Sequence, residues 1–137
     1  MESIDLKNQS ILDVGCGLGL LGIKALKLGA SNVTFQDYNK ETYEMIIHPQ
    51  LKINQIEGKH DFIYGDWVEL SNSLSQYDIA LASEVIYREE NYEKFIIFLL
   101  KALKPQGKCY MINKAYYFGV GGSVEAFKDT LKTYKDL

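Results

Sequence analysis

The sequence predicts an α/β protein: a Rossmann-like parallel sheet of about five strands flanked by helices, in a single domain over residues 1–137. Three observations carry this. Short apolar runs alternate with helical, amphipathic stretches along the chain, the pattern of βαβ units and a parallel sheet. The first apolar run ends in glycines at alternate positions, Gly15-Cys16-Gly17-Leu18-Gly19. The polar residues suited to chemistry, Asp13, Asp37, Asp66, Glu84 and Asn113, all fall where a predicted strand ends. In open α/β sheets that edge is where ligands bind.

Ile11 to Val14 read as the first, buried strand, and Leu20 to Leu28 as an apolar-faced helix stopped by Gly29. Asn32 to Gln36 form the second strand. Asn39 is placed to cap a helix from Lys40 to about Ile47, which Pro49 ends. Phe62-Ile63-Tyr64 is a short third strand and Tyr77 to Ala82 the fourth. Asn91 caps a helix from Tyr92 to Leu103, with apolar positions at Phe95, Ile96, Leu99, Leu100 and Leu103. Pro105-Gln106-Gly107 is a turn, Lys108 to Asn113 the fifth strand, and Ser123 to about Tyr134 the last helix.

Composition bounds the function. Hydrophobic residues make up 47% and charged residues 24%, ordinary for a globular domain. No apolar run reaches the length of a membrane span, so no membrane partner is expected. Met1-Glu2-Ser3-Ile4-Asp5 has neither the basic region nor the apolar core of a signal peptide. With two cysteines, this points to a reducing compartment: the cytoplasm, with the nucleus open. The net charge of −3 and the lack of a basic block disfavour a direct nucleic-acid partner. No Cys/His pair has metal-ligand spacing, so no metal is expected.

The glycine turn lies between a strand and a helix, where a ligand can approach the backbone and meet free N–H groups of the helix start. Gly17-Leu-Gly19-Leu-Leu-Gly22 formally satisfies the dinucleotide pattern, with Asp37 20 residues after Gly17 where a ribose-binding acid is expected. The ligand is therefore a dinucleotide or S-adenosylmethionine. Asp13 inside the turn favours a ligand whose nearby group is an ammonium over a pyrophosphate.

Each further candidate has a plain structural alternative. Asp37 could accept both ribose hydroxyls, or be an exposed turn aspartate; Tyr38 could lie under adenine, or simply pack. Asp66 could accept the adenine amine and Trp67 cover its ring, or Trp67 could be a core aromatic. Glu84 could orient a nitrogen nucleophile or take its proton, and Tyr87 line the entrance; otherwise they are a cap and a packing ring. Cys16 reads as a turn filler rather than a nucleophile, and Cys109 as core. Lys114-Ala115-Tyr116-Tyr117-Phe118-Gly119-Val120-Gly121-Gly122-Ser123 joins three aromatics to a glycine-rich turn, suited to walling a substrate pocket.

With these residues placed, the chain resembles the class I S-adenosylmethionine methyltransferases. Within them it is similar to the histidine protein methyltransferase group, which carries an acidic-x-x-Tyr motif, here Glu84-Val85-Ile86-Tyr87. Three segments carry the resemblance: Leu12 to Gly17 through Leu20 to Ile23, Phe35-Gln36-Asp37-Tyr38-Asn39, and Lys114 to Gly122. It implies methyl transfer from S-adenosylmethionine to a histidine nitrogen on a protein, a large-subunit ribosomal protein in that group. It implies that Asp13, Gly15, Gly17, Asp37 and Trp67 serve the cofactor; Cys16, Gly19, Tyr38, Asp66 and Ser83 complete the candidate cofactor set. Glu84 and Tyr87 take the catalytic roles; Tyr116, Tyr117 and Gly119 face the substrate.

The chain departs from the group in three respects. Tyr116 stands where histidine is usual. The sheet is expected to lack the usual C-terminal antiparallel hairpin, and the domain to be short at both ends. Alternatives are a protein-lysine methyltransferase, a non-catalytic S-adenosylmethionine-binding module and a nicotinamide-dependent oxidoreductase. Oligomeric state is open.

Overall fold

The computed structural model describes residues 3–134; Met1 and Glu2 of the amino-terminal stretch lie outside them. Five strands, β1 (Ser10–Val14), β2 (Asn32–Asp37), β3 (His60–Tyr64), β4 (Tyr77–Ser83) and β5 (Leu103–Ile112), form one sheet in the order β3-β2-β1-β4-β5. Every pairing in it is parallel. The helices are α1 (Leu20–Lys27), α2 (His48–Ile53), α3 (Trp67–Leu70), α4 (Tyr92–Ala102) and α5 (Val124–Leu131). The order reverses beside β1, which puts the switch point at the carboxyl ends of β1 and β4.

Alternation along the central strands divides the core. Ile11, Val33, Phe35, Ile79 and Leu81 pack with Ile23, Leu26, Ile47 and Leu51 of the α1 and α2 side. Leu12, Val14, Ala80 and Ala82 pack with Phe95, Phe98, Leu99 and Phe127 of the α4 and α5 side. Both faces are covered, which is why these strands read as near-continuous apolar runs. No helix among the described residues is long and apolar enough to cross a membrane.

Four local expectations need correction. The helix does not end at Pro49: a π-helical turn, Tyr43–Ile47, runs directly into α2 with the proline in its first turn. A proline here interrupts the main-chain ladder, and the wider turn ahead of it, in which His48 N–H donates to the Tyr43 carbonyl, takes up that interruption. Asn39 makes no side-chain cap; the Asp37 carboxylate accepts Asn39 N–H at 3.1 Å and the Thr42 hydroxyl at 3.3 Å instead. Asn91 likewise makes no side-chain cap, because a 3₁₀ turn, Glu89–Asn91, precedes α4 and gives Asn91 helical dihedrals. Pro105-Gln106-Gly107 lies within β5, not between elements. There Gln106 takes a φ of 67° and the pairing with β4 shifts register between Tyr77 and Ile79. Edge strands tolerate such proline-containing irregularities.

Candidate functional site

The carboxyl ends of β1, β2, β3 and β4 open into a cleft of about 520 Å³. Gly15, Asp37, Tyr38, Asp66, Trp67, Glu84 and Tyr87 line it, together with Gln36, Asn39, Gly65, Val85 and Asn91. Seven of the fifteen site positions singled out from sequence thus converge on one cavity of ligand size.

The glycine turn forms one wall. Gly17 has a φ of 49°, in the left-handed region that favours glycine, and a Cβ there would meet nothing within 4 Å. Its N–H donates to Asp37 Oδ2 at 3.0 Å, so the β1 loop and the end of β2 are joined at the cleft floor. Asp37 therefore stands at the strand end with its carboxylate oriented by main-chain N–H groups, as a group that receives ribose hydroxyls must be. Tyr38 beside it is 72% exposed and unpacked.

Asp13 is placed differently from expectation. It is 2% exposed and lies beneath the turn, where Oδ2 accepts the N–H of Gly22 at 2.8 Å. Burial pushes its carboxyl up to about 7, against the lowering effect of that hydrogen bond. Asp13 therefore ties β1 to α1 and takes one of the N–H groups expected to face a ligand. It is not exposed as a partner for a ligand's ammonium, and a carboxyl that titrates near 7 is a weak basis for excluding pyrophosphate. Cys16 packs against the same side of the core, and burial together with Asp13 and Asp37 raises its thiol, which agrees with a filler and not a nucleophile.

The second wall is the β3–α3 connection. Asp66 caps α3, with Oδ1 accepting Val68 N–H at 2.8 Å. Trp67 combines both readings: it lines the cleft, and its ring packs on Phe95 at 5.0 Å between centroids. A residue absent from the expected set, Gln36, joins the walls. Its Oε1 accepts Gly15 N–H at 2.9 Å and Trp67 Nε1–H at 3.1 Å, and its Nε2 donates to the Gly65 carbonyl at 3.2 Å. The available signal was a glutamine between Phe35 and Asp37 at the end of a strand read as buried, since a buried amide must find partners.

Glu84 follows β4 with a φ of 58°, rare for a residue with a side chain. Its N–H donates to the Ile112 carbonyl at 2.9 Å, holding the turn. The Tyr117 hydroxyl donates to Glu84 Oε2. Burial, with the Glu84 carboxylate next to it, pushes the Tyr117 phenol up to about 12, so it remains a donor at neutral pH. Tyr87 meets Tyr117 edge-to-face at 6.2 Å. Ser83, at the end of β4, is exposed and outside the cleft lining.

The aromatic loop explains why one tyrosine arrives and its neighbour does not. Tyr116 pairs antiparallel with Ser123, and Tyr117 N–H donates to the Gly122 carbonyl at 2.8 Å. In such extended pairing successive side chains point to opposite faces. Tyr117 therefore turns in to Glu84, while Tyr116 and Phe118, 96% exposed, turn outward. Tyr116 and Gly119 do not line the cleft. The loop is held by Gly122, where a Cβ would stand 2.4 Å from the Ile86 carbonyl oxygen and 2.5 Å from that of Tyr87. Asn113 follows β5, and its buried Oδ1 has no hydrogen-bond partner among the described residues.

Comparison with known proteins identifies the group to which this architecture is put. A family model described as lysine methyltransferase matches residues 1–118. The chain belongs to that family. This lysine methyltransferase family member is 40% identical over 139 residues to the histidine protein methyltransferase 1 homolog of Dictyostelium discoideum, covering 99% of this chain and 45% of that protein. It is 35% identical over 155 residues to the homolog of Rattus norvegicus, covering 91% and 43%. The chain thus spans under half the length of the curated relatives it matches. The solved structure of SMU.776 complexed with SAH superposes with a TM-score of 0.74 at 18% identity, over 93% of this chain and 36% of that one. That likeness shows the shared methyltransferase fold. Family membership bears out the methyl-donor reading of the glycine turn over the dinucleotide one.

Proposed function

We propose that this domain binds S-adenosylmethionine in the cleft and methylates a histidine nitrogen of a protein substrate. The observation that carries the reading is the convergence of Asp37, Trp67 and Glu84 on one cavity at the switch point, with Tyr117 bonded to Glu84 behind it. The residues fit the ligand. The open backbone at Gly17 suits close approach, the Asp37 carboxylate suits a ribose diol, and Asp66 with Trp67 suits an adenine edge and ring. When bound, the ligand supplies an electrophilic methyl group on a sulfonium.

The chain's own part is positioning and proton handling. A neutral imidazole is already a nucleophile near pH 7 and needs one tautomer held with its lone pair toward the methyl group. Tyr117 takes up Oε2 of Glu84, and among the described residues Oε1 has no partner. Oε1 is then free to accept the N–H of the substrate imidazole on the side away from attack. After transfer the imidazolium proton leaves through the same contact. Tyr87, in edge contact with Tyr117, walls the approach.

The names of the relatives favour histidine, and the description of the family model keeps lysine as the second reading. Lysine must lose a proton before it attacks, so its methylation would rise steeply with pH where histidine's would not. A large-subunit ribosomal protein in the cytoplasm or nucleus is the proposed substrate. The test is incubation of the domain with labelled S-adenosylmethionine and ribosomal proteins, with mass spectrometry of the modified residue. Label on histidine is the expected result; label on lysine alone, or cofactor binding without any transfer, refutes the histidine reading.

A further inference from the structure

Gln36 is 2% exposed and bonds to the glycine turn after β1, to Gly65 after β3 and to the Trp67 indole. Its main-chain carbonyl accepts Cys16 N–H at 2.7 Å, and its side-chain Oε1 accepts Gly15 N–H at 2.9 Å. Two consecutive amides of the glycine turn are thus clamped by one residue of β2. The same Oε1 takes Trp67 Nε1–H, and Nε2 donates to the Gly65 carbonyl. The Trp67 ring is braced from behind by Phe95 and Phe98, at 5.0 and 6.2 Å between centroids. Only a primary amide satisfies this set. A carboxylate offers two acceptors and no donor for Gly65, and an apolar chain leaves two N–H groups and a carbonyl without partners.

We propose that Gln36 is a positioning residue that sets the separation of the glycine turn from the Trp67 wall, and through it the fit of the adenosyl ligand. The inference rests on the reading of the cleft as the S-adenosylmethionine site. Asp37 touches the ligand in that reading; Gln36 acts through Gly15 and Trp67. Removing the amide frees the indole and the turn to move apart, and ligand affinity falls through that displacement.

Trp67 is the single tryptophan, so its fluorescence reports this bond directly. The experiment compares wild type and Gln36→Met by Trp67 emission, and both of them, Trp67→Phe and the double variant by calorimetric titration with S-adenosylhomocysteine. Gln36→Met is expected to shift the emission of the unliganded protein to longer wavelength and to weaken binding roughly ten- to a hundredfold. Trp67→Phe keeps the ring and loses the N–H, and the double variant is expected to bind within about threefold of Gln36→Met alone. Wild-type affinity in a folded Gln36→Met, or losses that multiply in the double variant, overturns the proposal. If Gln36→Met does not fold, Gln36→Glu takes its place in the cycle at alkaline pH, since its carboxylate keeps both acceptor bonds and sets a second acceptor against the Gly65 carbonyl. Should wild type itself fail to bind S-adenosylhomocysteine, the ligand reading falls. The positioning role is then decided by the emission alone, and an unshifted spectrum in the Gln36 variant overturns it.

Discussion

Replacing Asp13 with asparagine should stabilise the domain at alkaline pH and do so less, or not at all, in acid. Unfolded, the carboxyl titrates at 3.8; folded, burial raises it to about 7. Below 3.8 both states carry the proton. Between the two values the folded state holds more protons than the unfolded, so this group's contribution falls as pH rises, and the loss is complete above about 7. At 1.36 kcal/mol per pH unit the interval corresponds to about 4 kcal/mol. Asparagine carries no charge to desolvate and keeps an oxygen for the Gly22 N–H. Its buried amide N–H groups offset part of the gain, by about 1–3 kcal/mol. Asp13→Asn is therefore expected to be about 1–3 kcal/mol more stable than wild type at pH 8 and no more stable at pH 4. Urea unfolding of both proteins across that range measures the difference, in which the titrations of groups that do not sense Asp13 cancel. A difference that stays flat with pH would refute the reasoning. Asp13→Leu, which orphans the Gly22 N–H at a cost of about 1–3 kcal/mol, should show the same dependence on pH against wild type, since leucine does not titrate either.

Three further outcomes follow from the site. Asp37→Ala should weaken S-adenosylhomocysteine binding by about 1.5–3 kcal/mol through loss of charge-assisted hydrogen bonds, measured by calorimetry; unchanged affinity in a folded variant would assign the ribose elsewhere. Glu84→Ala should lower turnover more than it lowers cofactor affinity, and a variant that loses affinity while keeping its rate per bound complex would remove Glu84 from the substrate side. Gly122→Ala should displace the aromatic loop, because its Cβ meets two main-chain oxygens at 2.4 and 2.5 Å. Turnover is expected to fall with cofactor affinity retained, and full activity would show that Tyr117 need not be held where it is.

Much of this architecture was legible without coordinates. Five strands and their helices follow from local periodicity, and the site's location follows from the glycine turn and from Asp37 at the end of β2. These are properties of short windows, in which the spacing of apolar side chains already states which face is buried. The errors of detail at Asn39, Asn91 and Pro49 share one cause. Capping and helix continuation depend on dihedrals that neighbouring turns impose, and composition does not record them.

What only the tertiary structure decided lies in contacts between distant segments. Asp13 sits in the very motif that identified the site, yet α1 closes over it and makes it a buried tie to Gly22. Gln36 looks like one more strand residue until the sheet brings Gly15, 21 positions away, and Trp67, 31 positions away, to its amide. Tyr116 and Tyr117 are chemically alike, and the antiparallel pairing around Ser123 alone sends one outward and the other to Glu84, 33 positions away. Residue type and spacing determine which groups can do chemistry and near which strand end they fall. Which of them touch, which are buried and which of two neighbours reaches Glu84 is set by packing between elements, where a side chain's surroundings come from parts of the chain that its own neighbours in sequence do not encode.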